Sequence, residues 1–410
     1  MAVGVCDFLV RNAFLTKVRR LISSLLLRWE RARGRKIFFF YLPLEGQLPC
    51  IAPLLETLRK QGGPVSIFLA RACCVRHRNL AALGLTRFRI LDAEFAPRTY
   101  CDVLISPTQW LPEWPGATVR VCIFHGQPSK GNTFLPHLLK QFQALFLLGP
   151  LQKDLYEKFA SEHPTLAQNL QTFDVGYPKS DALLAGRYSR NAVLQELGLE
   201  PERAVVLYAP AFDHGASLDR FGEDIVNELL NSKWSVIVKL HPVLMDPLER
   251  KPFGKGIDWA TVFAKFENNR RFRLYRPHAI DPVLAAADVM LTDFSGVALE
   301  FVALDKPVVY LDCPEFFNRT IAAEGYGADP AWVRDDPRAN AGRNAGQIVR
   351  ELSDLLPALE RALGYPEELA KKRSALRSRL LFNAGCALPV AVDRLRQLAG
   401  LRSPEHRESR

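Results

Sequence analysis

From residue 36 onward, short unbroken runs of β-branched, aromatic and aliphatic residues alternate with longer amphipathic stretches. This rhythm constrains the fold more than any other feature of the chain. A strand with one solvated face alternates polar and apolar residues, whereas a strand covered on both faces reads as a continuous apolar run. The runs at 37–42, 65–70, 88–91, 103–106, 119–124 and 144–148 are of the second kind, and a helical pattern at 50–61 follows the turn Glu45-Gly46-Gln47. A second series of strands is expected at 205–209, 236–240, 271–275, 289–292 and 308–311, with helices between them at 218–231, 281–287 and 296–304. Helical patterns continue at 346–363, 366–382 and 389–399.

Strands and helices in strict alternation build parallel sheets covered by helices on both faces. A chain of 410 residues is too long for one ordinary core, so two such sheets are expected. The fold class is therefore α/β, with two Rossmann-like domains facing a cleft in the glycosyltransferase-B manner, preceded by an amphipathic helix. The expected divisions are a basic amphipathic segment at 1–35, a first Rossmann-like domain at 36–190, a second Rossmann-like domain at 191–400 and a polar tail at 401–410, with the linker near 185–201. In this architecture ligands meet the carboxyl ends of the strands. A G-x-G-x-x-G fingerprint is absent, which disfavours a nicotinamide or flavin dinucleotide.

The net charge of +10 is concentrated at the ends: residues 1–36 hold nine Lys/Arg against two Asp/Glu, and residues 361–410 hold eleven against five. A nucleic-acid-binding protein more often carries such charge on its folded body. Basic ends on a near-neutral body point instead to an anionic membrane surface, reached from the cytoplasmic side. In the first segment Phe14, Val18, Leu21, Leu25 and Trp29 follow helical spacing beside a polar stripe of Lys17, Arg20, Ser24, Arg28 and Arg31. An interfacial helix fits this pattern; a helix packed on the protein's own core is the alternative. The eight cysteines form no C-x-x-C pair, and several lie in apolar runs, as expected for reduced, buried thiols rather than zinc ligands.

Four polar clusters stand where predicted strands end. In the first, an apolar run delivers His125 into the turn Gly126-Gln127-Pro128-Ser129-Lys130; an imidazole there can act as a general base, and Lys130 can meet a phosphate. The second, Gly176-Tyr177-Pro178-Lys179, is an interdomain turn in which Lys179 is a further phosphate candidate. The third pairs Tyr208-Ala209-Pro210 with Lys239-Leu240-His241-Pro242, where Lys239 alternates with buried residues and needs an anion. The fourth is Thr292-Asp293-Phe294-Ser295-Gly296, a strand-to-helix turn whose Asp293 or Ser295 can cap the helix and whose backbone N–H groups can take phosphate oxygens. Glu300, one turn later, either reaches a ribose hydroxyl or is simply solvated. Each cluster also has a structural reading, as a tight turn, strand end or helix cap. The sequence contains no Asp-x-Asp metal motif, and neither metal nor cofactor is expected.

Taken together and in this order, His125-Gly126-Gln127-Pro128-Ser129-Lys130, Gly176-Tyr177-Pro178-Lys179-Ser180-Asp181, Tyr208-Ala209-Pro210, Lys239-Leu240-His241-Pro242 and Thr292-Asp293-Phe294-Ser295-Gly296 resemble the CDP-glycerol glycerophosphotransferase family of teichoic-acid and capsule polymerases. The resemblance covers roughly residues 100–400. It implies a CDP-glycerol or related CDP-polyol donor held mainly by a nucleotide-donor domain at 191–400, a hydroxyl acceptor on a cell-surface glycan or lipid-linked chain served by an acceptor domain at 36–190, release of CMP, and His125 and His241 as the functional pair. Gly296 departs from the family's second Ser, and Lys179 from its Arg, which loses bidentate phosphate geometry. A sugar transferase of the same fold and a nucleotide-sugar 2-epimerase are the alternatives.

Overall fold

A computed structural model describes residues 21–71, 89–92, 99–131, 134–245, 253–322 and 329–402. Phe14, Val18, Cys6, Cys73, Cys74 and most of the polar tail lie outside the described residues.

The apolar runs form two wholly parallel sheets. The first contains β1 (Lys36–Leu42), β2 (Val65–Arg71), β3 (Arg89–Asp92), β4 (Cys101–Ser106), β5 (Ala117–Cys122), β6 (Ala144–Leu147) and β7 (Gln171–Asp174). Their order is β3-β2-β1-β4-β5-β6-β7. The second contains β8 (Val205–Tyr208), β9 (Ser235–Val238), β10 (Phe272–Leu274), β11 (Val289–Thr292), β12 (Val308–Leu311) and β13 (Gln347–Val349), in the order β10-β9-β8-β11-β12-β13. Both orders reverse direction once, between β1 and β4 and between β8 and β11, and such switch points open a crevice at the strands' carboxyl ends. Each sheet is buried on both faces, as its unbroken apolar runs require: Phe39 and Phe68 pack on one side of the first sheet, Phe38, Phe40 and Leu69 on the other.

Three local departures have plain causes. The helix expected at 218–231 breaks at Gly222, whose φ of +58° is left-handed, giving Ser217–Phe221 and Asp224–Leu230. The edge strands β7 and β13 were not expected, because edge residues such as Gln171 and Thr172 are exposed and leave no apolar run. The helix Ala387–Leu398 lies on the first sheet, although the expected division places it with the second. Ala391, Val392 and Leu395 join Leu54, Leu55 and Val103 in one core. A strap leads it there: Leu151 N–H donates to Arg379 C=O at 2.8 Å, and Phe382 N–H donates to Leu148 C=O at 2.8 Å. The crossing is so close that a Cβ on Gly149 would sit 2.0 Å from Leu380 O, and one on Gly176 2.1 Å from Phe382 O. Burying a side chain such as Leu380, which shares one core with Leu151 and Phe301, contributes about 1.5–3 kcal/mol, so the two domains are joined by packing as well as by their linker.

Residues 21–32 are helical. Leu27 and Glu30 face the body, where Glu30 accepts from Ser66 Oγ at 2.6 Å, while Leu21, Ile22, Leu25 and Trp29 are 50–62% exposed. Among the described residues no helix is long and apolar enough to cross a membrane. Of the described cysteines, Cys50, Cys101, Cys122 and Cys313 are buried thiols and Cys386 is exposed.

Candidate active site in the interdomain cleft

The loops after β1, β4, β5, β8, β9 and β11 converge on one cleft of about 590 Å³, a size suited to a nucleotide-sized ligand. Among the site residues expected from sequence, His125, Gly126, Pro128, Lys130, Tyr177, Pro210, Lys239, His241, Pro242, Ser295, Gly296 and Glu300 line it. Gly176 and Pro178 stand immediately behind, at the turn that delivers Tyr177.

His125 is placed by its strand and by three neighbours. Phe124, at the end of that run, has φ of +55°, a left-handed conformation that is costly for a non-glycine residue. It is held by its buried ring against Phe134, with centroids 5.7 Å apart. Tyr177 Oη donates to the His125 carbonyl at 2.9 Å, and Cys50 Sγ lies 3.6 Å from the same oxygen. The imidazole Nδ1 is 2.9 Å from Pro107 C=O, which can only accept, so Nδ1 carries the proton and Nε2 is left with its lone pair. The ring is reached from the cleft, yet protein surrounds it; desolvation, with Lys130 nearby, holds its pKa below the ordinary histidine value.

His241 has the complementary tautomer. Its Nδ1 accepts from Val243 N–H at 3.3 Å, which leaves Nε2–H as a donor. Phe212 stacks on the ring at 4.3 Å. Burial, reinforced by Lys130 and Lys239, lowers its pKa to about 3, so the ring is neutral. One histidine is therefore set to take a proton and the other to offer a hydrogen bond.

Three cations serve this cleft in different ways. Lys239 is buried, and its only hydrogen bond among the described residues is from Nζ to Leu240 C=O at 3.1 Å; burial pulls its pKa down to about 8. Lys130 pairs with Asp213 of the opposite domain. Lys179 is committed elsewhere: its ammonium lies 2.5 Å from Glu300 and 3.5 Å from Asp281, all three buried, and so it braces the domains rather than waiting for phosphate. Burial pulls the Lys179 pKa down, but the two carboxylates outweigh it and hold the ammonium charged. Two carboxylates sharing one ammonium leave Glu300 raised, by burial first and by Asp281 as well. The expectation that Glu300 is solvated or free for a ribose is corrected accordingly: it lines the cleft but is held by Lys179.

Thr292 and Asp293 are also corrected as phosphate ligands. Both are buried beneath the cleft. Thr292 Oγ1 donates to Ala209 C=O at 2.7 Å. Asp293 accepts from the backbone of Ala211 at 2.8 Å, Ser217 at 2.9 Å and Phe294 at 2.6 Å, and from Ser217 Oγ at 2.5 Å. Its carboxylate ties the loop after β8 to the loop after β11, leaving nothing for a ligand. No side chain caps the helix Val297–Val302 that follows, and Ser295, Gly296 and Val297 line the cleft at its start. Gly296 has a steric explanation: a Cβ there would stand 3.0 Å from Gln127 O, where the His125 loop crosses onto the second domain and Ser129 Oγ donates to Phe294 C=O at 3.2 Å.

Sequence reasoning did not single out Gln47, Cys50, Thr108, Gln109, Trp110, Asp213, His278 or Asp281. Several follow from the rule that pointed to the others, since Gln47 follows β1 and Trp110 follows β4. Asp213 and Asp281 carry no motif and gain their roles only through lysines of the other domain. Among the described residues, no group of three His, Cys, Asp or Glu is arranged to hold a metal.

Over residues 157–381, more than half of the chain, the sequence matches the CDP-Glycerol:Poly(glycerophosphate) glycerophosphotransferase family. The chain belongs to that family. It is 29% identical over 150 residues to the teichoic acid glycerol-phosphate primase of Bacillus spizizenii, and 26% identical over 143 residues to that of Bacillus subtilis. The first alignment covers 35% of each protein, so the match spans about a third of this relative's length. Among solved structures, the wall teichoic acid polymerase TagF superposes with a TM-score of 0.61 at 13% identity, covering 95% of this chain and 98% of that one. A UDP-GlcNAc 2-epimerase from Neisseria meningitidis gives 0.50 at 13% identity, covering 89% and 100%. These likenesses establish the two-domain fold with its cleft.

Proposed function

We propose that the protein transfers glycerol phosphate, or a related polyol phosphate, from a CDP-linked donor to a hydroxyl of a teichoic-acid-type glycan or lipid-linked acceptor and releases CMP. The observation that carries this reading is the pair of complementary tautomers at His125 and His241 within a family of glycerophosphotransferases. The acceptor oxygen attacks the glycerol-side phosphorus while its proton passes to His125 Nε2. A new P–O bond forms, the bridging P–O bond to the cytidine-side phosphate breaks, and the electron pair leaves with CMP. His241 Nε2–H, Lys239 and Lys130 meet the negative charge on the diphosphate, and positioning with electrostatics supplies most of the rate. Asp213 pairs with Lys130, so the donor competes with that carboxylate for the ammonium.

The test is to incubate the protein with CDP-glycerol and a lipid-linked glycan acceptor and to identify the nucleotide product. CMP formed in step with a new phosphodiester supports the reading. Release of CDP instead would favour a sugar-transferase-like displacement at carbon, and no nucleotide release contradicts it.

The depressed Lys239 pKa sets an alkaline limit. An ammonium with a lowered pKa is charged below about 8 and loses its proton as pH rises through that value. The expected result is a fall in kcat/KM above about pH 8 that shifts upward in Lys239→Arg, measured by CMP release across pH. The acid limb, set by His125, should lie below the ordinary histidine value of about 6.5.

We also infer that helix 21–32 rests on an anionic membrane surface at the cytoplasmic face. Its support is the exposed row of Leu21, Ile22, Leu25 and Trp29 beside Arg28, Arg31 and Arg33, on a helix whose other face is already occupied by the body. Leu25→Glu with Trp29→Glu should abolish flotation with phosphatidylglycerol vesicles; unchanged flotation would exclude this helix as the contact.

A further inference from the structure

Trp110 is the most exposed large hydrophobic residue of the described chain, at 64%, yet it lines the cleft that holds His125. An indole at the rim of a ligand cleft offers a broad apolar face with a polar N–H at its edge, which suits a ligand that is apolar on one face and polar at its rim. The loop carrying it is also unusually well tied for an exposed segment. Ser106 Oγ donates to Thr108 C=O at 2.6 Å, and Trp110 N–H donates to Thr108 Oγ1 at 3.3 Å. Gln109 Oε1 accepts from Leu135 N–H at 3.0 Å, and Gln141 Nε2 donates to Leu111 C=O at 3.1 Å. The His137 ring meets the indole edge-to-face with centroids 6.2 Å apart. The platform is therefore built in advance, which lowers the ordering cost of binding.

The same loop supplies Pro107 C=O, which fixes His125 Nδ1. Only two residues, Thr108 and Gln109, separate the group that orients the base from the indole at the rim. A ligand lying on Trp110 is thus on the side of the cleft where a proton is taken. Lys239, His241 and Ser295, which suit a diphosphate, belong to the opposite domain. In addition, Gln47 Oε1 is buried in the cleft lining without a hydrogen-bond partner among the described residues, and a buried acceptor of this kind calls for a ligand donor. An apolar face against an indole, with hydroxyl groups at its rim, describes a sugar ring.

We propose that Trp110, with Thr108, Gln109 and Gln47, forms an acceptor subsite that stacks a pyranose ring of the acceptor beside His125. The proposal rests on the transferase reading above and assigns its acceptor a carbohydrate at the reacting end.

Trp110→Ala and Trp110→Phe test it, and the side chain's exposure makes unfolding of either variant unexpected. With CDP-glycerol and a lipid-linked disaccharide, Trp110→Ala should raise the acceptor KM about tenfold, with the donor KM within about twofold of wild type and Trp110→Phe recovering much of the loss. A ring-free glycerol phosphate trimer used as acceptor should show no such dependence. A rise in donor KM instead would mean that the indole stacks the nucleobase, and an unchanged acceptor KM would mean that it stacks nothing; either overturns the proposal. Saturation-transfer NMR with methyl hexosides and methyl N-acetylhexosaminides, without donor, separates the two levels. Glycoside binding that needs Trp110 in a protein forming no CMP would sink the transferase reading and keep the subsite. No glycoside binding to wild type would sink the subsite.

Discussion

Lys179→Met should destabilise the protein by about 3–5 kcal/mol, the cost of removing one partner from a buried ionic group. Lys179 lies between Glu300 at 2.5 Å and Asp281 at 3.5 Å, and all three are buried where the first domain meets the second. Methionine fills similar volume but leaves two carboxylates facing each other without a counter-charge. The wild-type Lys179 pKa is raised above its unfolded value, so its contribution is fully present below that value and is lost only as pH rises through the folded one. Wild-type stability should then show no loss from this lysine between pH 6 and pH 9. In the variant the sign is that of a carboxylate whose folded pKa lies above its unfolded value: protonation favours the folded state, and the deficit should shrink as pH falls toward about 5. Adding Glu300→Gln should recover part of the loss by removing one buried charge. Urea unfolding at two pH values measures this, and a deficit below about 1 kcal/mol at neutral pH would mean that the three groups are solvated rather than a buried brace.

His125→Ala should lower kcat by about 10²–10⁴-fold, the range for a general base. The donor KM should move little, because the cations that suit the diphosphate come from Lys239 and Lys130. His241→Ala should cost about 10²–10³-fold as loss of one charge-stabilising donor. The two variants should also differ in pH response. His125→Ala removes the acid limb of the rate profile, whereas His241, neutral with a pKa near 3, contributes no limb in the working range. CMP release in a stopped assay measures both, and a wild-type rate in His125→Ala would remove it from the chemistry.

Much of the architecture could be read from the residues because buried parallel strands write themselves as unbroken apolar runs. The interior strands β1, β4, β8 and β11 were all expected close to their observed positions. Of the edge strands, β3 and β10 were expected and β7 and β13 were not, since Gln171 and Thr172 of β7 are exposed and only Val349 of β13 is buried, which leaves no such run. Periodicity also carries no address, which is why helix Ala387–Leu398 was expected with the second sheet and packs on the first. The family resemblance drawn from five short motifs agrees with the family match over residues 157–381, which holds four of them, while the His125–Lys130 motif lies ahead of it. Within those motifs, residue type alone could not distinguish a ligand group from a brace. Asp293 and Ser295 both suit a helix start, but only the fold reveals that Asp293 is used up by Ala211, Ser217 and Phe294. Lys179 likewise resembles a phosphate contact until Glu300, 121 positions away, is brought against it.

The central claim is a single displacement on the glycerol-side phosphorus, with His125 as a base rather than a nucleophile. The most direct measurement is the stereochemical course with CDP-glycerol made chiral by sulfur and oxygen isotope at that phosphorus. Inversion in the product diester is the predicted result. Retention, which requires a second displacement through a covalent phospho-enzyme, would contradict the account.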